Sequence, residues 1–204
     1  MLFRSDLIDQ STPSTNALEI KVVSGGTTYA DYTVRGTYSS TSATLSIAGF
    51  VTDGTTVVNF TITYSADSNA GTFSEQSTID VPSLNFHLVF NLDATSSVSG
   101  TVTTVPITLH FSMTIGSETV TADGTITTTF DSQSGATTVS GTIPVKVNGQ
   151  TYAIINVSNS GTTITGPNGG TLTADQQQAV EELFLTGDQI ELYILLLFVP
   201  FAVA

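Results

Sequence analysis

Cysteine and tryptophan are both missing from the 204 residues, and basic residues nearly so: Arg4, Lys21, Arg35 and Lys146 stand against 17 acidic side chains, for a formal charge of −13. Without cysteine there are no disulfides, thiolate metal ligands or cysteine nucleophiles. A chain of this length can bury a substantial core without such staples. The shortage of Lys and Arg argues against nucleic acid as a partner, because the chain would repel a phosphate backbone. It argues equally against docking on an anionic membrane surface. The acidity itself reads as a solubility device.

Long charged runs and a leader-like start are also wanting. Met1–Gln10 has one early Arg but no apolar stretch of the length that a secretory signal needs. We therefore expect the start to be fragmentary. The expected organisation is a disordered or fragmentary segment over 1–16, a β domain over 17–170 and a C-terminal helical, hydrophobic segment over 171–204. No internal repeat is evident.

What the chain has in abundance is Ser and Thr, about three residues in ten, well above ordinary usage. Thr suits a pleated, half-exposed surface and needs no counter-charge. The pattern is clearest over Thr101–Ser158. Ile107, Leu109, Phe111, Met113 and Ile115 alternate with polar residues, as do Val120, Ala122 and Ile126. Strand side chains point alternately to opposite faces, so one face is apolar and the other Ser/Thr. Gly25-Gly26, Asp53-Gly54, Gly116-Ser117 and Asn148-Gly149 interrupt the alternation where hairpin turns fit. Asp123-Gly124 reads as a bulge within a long strand, and Pro106 as a local break in a ladder. Phe73–Val81 is only weakly patterned. The prediction is an all-β protein: an antiparallel meander forming a barrel or curved sandwich, with a C-terminal helical segment. Leu84, Phe86, Leu88, Phe90, Ile107, Leu109, Phe111 and Met113 are expected to share one buried face.

After the loop Gly166–Gly170 the texture changes. Thr173 and Gln176 have capping-box spacing, with Ala179, Val180, Leu183 and Phe184 following at helical spacing. Gly187 stops that helix, and Asp188–Glu191 begins a second one. Ile190–Ala204 reads IELYILLLFVPFAVA, shorter than the roughly 20 apolar residues that span a bilayer. Left in water it would aggregate. It is expected to cover the β core, to dock into a neighbouring subunit or add a strand to it, or to begin a membrane anchor. Leu183, Phe184, Tyr193, Ile194, Leu197 and Phe198 are the candidate apolar ligand or assembly surface.

Sites for chemistry are sparse. His87 and His110 both take the parity opposite the apolar residues, with one strand expected between theirs and no carboxylate at ligand spacing beside either. They read as two unrelated surface histidines. Most Asp residues fall in turns, where they bond the local backbone. Glu75 and Glu118 are acids within strands, with nothing linking them into the facing pair a glycosidase needs. No Gly-x-Ser-x-Gly elbow occurs, and Gly166–Gly170 lacks the Lys of a phosphate loop. Asn59-Phe-Thr61 and Asn156-Val-Ser158 match the N-glycosylation pattern but lie in expected strands. No cofactor or metal is implied. The composition points to a non-catalytic protein of the extracellular space or cell envelope. It would bind an apolar small molecule or lipid, or bury its own C-terminal segment. The alternative is a structural surface or filament subunit, or an adhesin, that self-associates through that segment.

Overall fold

The computed structural model describes the backbone of residues 2–9 and 15–182, and side chains from Ala17 to Glu182. Among the described residues, period-two alternation makes thirteen strands, almost all joined to the next by a tight turn. They are β1 (Leu2–Asp9), β2 (Thr15–Ser24), β3 (Thr27–Tyr38), β4 (Ser42–Thr52), β5 (Val57–Asp67), β6 (Thr72–Val81) and β7 (Phe86–Thr95). A three-residue strand β8 (Ser97–Ser99) follows, then β9 (Val102–Ile115), β10 (Glu118–Asp131), β11 (Thr137–Val147), β12 (Gln150–Ser158) and β13 (Gly161–Thr165). All pairings are antiparallel. The sheet runs in chain order from β1 to β13, with only β8 off the path, paired to β9. The protein is thus an all-β antiparallel meander.

The sheet is not closed: among the described residues β1 and β13 end it, and they do not pair with each other. Of the two architectures expected from sequence, the barrel is not formed, and a curved open sheet is. Sheets beyond about ten strands curl or split rather than stay flat, which accounts for the curvature. The backbone of Leu2–Asp9, expected outside the β domain, pairs with β2 from Leu2 opposite Val23 to Leu7 opposite Leu18.

The turns follow their chemistry. Gly25-Gly26 (φ 58° and 84°) and Asn148-Gly149 (φ 50° and 79°) both take two positive φ values, the requirement of a type I′ hairpin. At the β4–β5 corner the Asp53 carboxylate accepts the N–H groups of Thr55 and Thr56, both at 2.8 Å. These bonds hold its pKa below the ordinary 3.8.

Register makes the apolar face continuous. Directly opposed residues share a face, and one row runs Val34, Ile47, Ile62, Ser77, Phe90, Phe111, Ala122, Val145, Ala153 across β3 to β12. A second runs Ile20, Tyr32, Gly49, Phe60, Ile79, Leu88, Met113, Val120, Val147. Nearly all the buried hydrophobic residues belong to these rows and their neighbours, in one cluster with Val180. Gly49 leaves a gap over which the rings of Tyr32 and Phe60 meet, centroids 6.0 Å apart. A Cβ there would stand 2.2 Å from the Asp31 carbonyl oxygen.

Three local expectations change. Leu84 is 63% exposed, because Pro82 opens a 3₁₀ turn (Pro82–Leu84) and Asn85 at φ 47° reverses the chain before β7 begins. The other seven members of the expected buried set are buried or half-buried. Asp123-Gly124 is not a bulge: β10 and β11 keep register from Ala122 opposite Val145 to Thr125 opposite Thr142. The glycine is needed instead for close approach, since a Cβ on it would lie 2.5 Å from the Thr142 carbonyl oxygen. Pro106 does not end its strand. It falls where β9 passes from its partner β8 (to Thr104) to its partner β7 (from Ile107), so no ladder bond is lost to the missing N–H on that side.

The C-terminal helical segment begins as its spacing predicts. Residues 174–182 are helical. The Thr173 N–H donates to Gln176 Oε1 at 3.0 Å and the Gln176 N–H to Thr173 Oγ1 at 3.2 Å, completing the capping box.

Candidate functional site

The candidate site lies where the apolar face stops being apolar. On β6 the positions facing the core are Glu75, Ser77, Ile79 and Val81. Ser77 stands between Ile62 of β5 and Phe90 of β7, and Glu75 between Tyr64 and Leu92. Ser77 is 1% exposed. Its Oγ and the buried Glu75 Oε1 have no hydrogen-bond partner among the described residues. Such groups normally find partners, and one left bare loses its hydration with nothing in return. Two on adjacent same-face positions of one strand form a local polar spot about 6.6 Å long at the strand's rise per residue.

Among the described residues no cation neutralises that spot. Lys21, Arg35 and Lys146 pair in register with Asp31, Ser46 and Thr121, on the polar face. Lys21 Nζ lies 2.8 Å from Asp31 Oδ2, and this hydrogen bond raises the lysine pKa.

The helix supplies the second feature. Ala179 and Val180 lie over β10–β12, with Val180 3% exposed. Between them and Val120, Val145, Val147 and Tyr152 is a cleft of about 190 Å³, lined by these six residues. Val145 of the cleft and Ser77 belong to the same row. Leu183, Phe184, Tyr193, Ile194, Leu197 and Phe198, the residues selected from sequence as the ligand or assembly surface, lie outside the described residues, as does the second helix expected from Asp188.

The histidines stand differently from expectation. β7 and β9 are direct neighbours, because β8 is a side hairpin and no strand intervenes. The imidazoles are nevertheless apart: His87 is opposite Thr114 and His110 opposite Asn91, a four-residue offset of about 13 Å along the strands. Each has a carboxylate after all, supplied across the ladder. His87 Nδ1 is 3.4 Å from Asp80 Oδ1, and His110 Nδ1 contacts Asp123 Oδ1. All four side chains are about half exposed. Cross-strand partners are invisible to spacing within a strand, which is why these pairs were missed. Among the described residues no group of three or more His, Asp or Glu side chains could hold a metal ion.

The carboxylates of Glu75 and Glu118 do not face each other. Glu118 is at the exposed start of β10, bonded by the Asn148 side-chain amide. Asp131, like Asp53, is a turn device: the Ser134 hydroxyl and the Gln133 N–H donate to it, lowering its pKa. Asn59 and Asn156 both lie within strands, Asn59 exposed and Asn156 half-buried. No described helix is long and apolar enough to cross a membrane.

The one signal that could have disclosed the polar spot is the weak patterning of Phe73–Val81. There the alternation that runs unbroken in the flanking strands has Glu and Ser at two of its apolar positions. Comparison of the chain with protein-family models, with curated proteins and with solved structures finds no match.

Proposed function

We propose that this is a non-catalytic, extracytoplasmic binding protein whose apolar sheet face holds an apolar small molecule or lipid, or its own C-terminal segment. The observation that carries the reading is the continuity of the apolar rows from β3 to β12, joined to an apolar cleft of about 190 Å³ beneath the helix. Ligand sites are concave, mostly apolar and provided with a few placed polar groups. Low charge density on a Thr/Ser-rich framework supports the extracytoplasmic assignment, and the acidity disfavours nucleic acid.

A second reading, a surface or filament subunit that self-associates, is favoured by β1 and β13, which end the sheet among the described residues. A bare strand edge invites another strand. In that case the apolar end of the chain seats in a neighbour.

Deletion of Gln189–Ala204 tests both. On the binding reading the truncated chain stays monomeric, and an apolar fluorescent dye binds more strongly to it. On the assembly reading sedimentation shows loss of an oligomer that the full chain forms. A truncated chain that is monomeric, soluble, as stable as the parent and no better at binding dye would remove the support from both.

A further inference from the structure

We infer that Asn168 is a site of spontaneous covalent modification, passing through a cyclic imide to aspartyl and isoaspartyl products. Asn148 stands in the same dipeptide, and Glu118 and Thr119 hold it out of that reaction.

Asn-Gly occurs twice in the chain, at Asn148-Gly149 and Asn168-Gly169. Asparagine is a thermolabile residue, and a following glycine supplies the reagent. Its backbone nitrogen, with no side chain beside it to crowd the approach, attacks Cγ of the asparagine. An N–Cγ bond forms and the Cγ–Nδ2 bond breaks. Nδ2 leaves as ammonia, taking up the proton that the glycine nitrogen gives away. Water then opens the imide at either carbonyl carbon, leaving an aspartyl or an isoaspartyl residue.

In a folded chain the rate depends on what the asparagine must release before Cγ can reach that nitrogen. Both asparagines are exposed, and both take positive φ, 50° at Asn148 and 64° at Asn168. They differ in how they are held. The Asn148 N–H donates to the Thr119 carbonyl oxygen at 2.8 Å, its Oδ1 accepts the Thr119 N–H at 2.9 Å, and its Nδ2 donates to Glu118 Oε2. The swing of Cγ toward the Gly149 nitrogen breaks both side-chain bonds. At Asn168 the restraint is the turn's own bond, from the Gly169 N–H to the Gly166 carbonyl oxygen at 3.1 Å. Among the described residues the Asn168 side-chain amide has no partner to give up. The loop Gly166–Gly170 leads into the helix over the cleft, so the new charge, and the extra main-chain carbon of the isoaspartyl form, enter at the approach to that helix.

The test incubates the full chain in mildly alkaline buffer and follows the mass gain of amide-to-acid conversion by peptide mapping. Two side-chain hydrogen bonds separate the sites, so Asn168 should react at least about tenfold faster than Asn148. In urea, where the fold is lost, the two rates should be similar. Asn168→Gly suits the positive φ and should abolish the fast release of ammonia. Glu118→Ala should raise the rate at Asn148 several-fold and leave that at Asn168 unchanged. Circular dichroism melts check that each variant is folded. Reaction at Asn148 as fast as at Asn168 in the folded chain overturns the inference. So does a folded chain unmodified at Asn168 while the unfolded chain reacts there. An unchanged Asn148 rate in folded Glu118→Ala overturns the protective role of Glu118.

Discussion

At the scale of single residues, two buried side chains in one row make opposite predictions. Phe111 is 2% exposed between Phe90 and Ala122. Truncating it removes a large apolar group and leaves a cavity, so Phe111→Ala should lower stability by about 3–5 kcal/mol in urea denaturation. Ser77 is equally buried, but its Oγ has no described partner to lose. Ser77→Ala should therefore stabilise the free protein by up to about 1 kcal/mol. A clear loss of stability would show that the hydroxyl is bonded in solution. On the polar side, Asp53 and Asp131 have lowered pKa values because turn donors favour the charged form. A lowered folded-state value means the contribution is present above the unfolded value near 3.8 and is lost as pH falls through the folded one. The stability gap between the parent and Asp53→Ala should thus be full at neutral pH and shrink below pH 3.8. A gap that does not change with pH would remove the charged turn from the account.

Elements are shaped by glycines that look alike in sequence and differ in space. Gly49 sits at φ 156°, and a Cβ on it would meet backbone of Asp31 and Tyr32 at 2.2–2.4 Å. Gly36, on the neighbouring strand, has only the Thr44 carbonyl oxygen near, at 3.8 Å. Gly49→Ala should cost about 1–3 kcal/mol, whereas Gly36→Ala should be nearly neutral; thermal melts of the two variants compare them directly. The helix start is governed by side chains instead. Thr173→Ala opens the capping box and should cost about 1 kcal/mol. The effect should be confined to the helix, as faster hydrogen exchange over residues 174–182. An effect spread evenly over the sheet would mean that helix and sheet unfold as one unit.

For the whole molecule, the open meander predicts graded stability. Interior strands are bonded on both sides and, among the described residues, the terminal ones on one. Local opening should begin where contacts are fewest. Amide protection should therefore be highest in β5, β6, β7, β9 and β10, and fall toward β13. Uniform protection would point to a partner strand on the free edge, and so to the assembly reading.

Most strand positions, the hairpin turns, the buried parity and the capping box were legible in the residues, because each depends on neighbours a few positions apart; β1 was not, and Leu2–Asp9 was expected outside the β domain. Side chains alternate every second residue, Asn-Gly and Gly-Gly set their own φ values, and Thr173 reaches Gln176 within one helical turn. What lay beyond that range was decided only by tertiary structure. Whether a meander closes depends on twist accumulated over every strand, and here it leaves β1 and β13 apart. β7 meets β9 because β8 folds aside, which brings Asp80 to His87 and Asp123 to His110 across the ladder. Glu75 and Ser77 illustrate the same limit: in sequence they blur the alternation of one strand, and only the register with β5 and β7 turns that blur into a polar spot on an apolar face. A local pattern sets which face a residue takes, but what it meets there depends on strands distant in the chain, through packing that no short window contains.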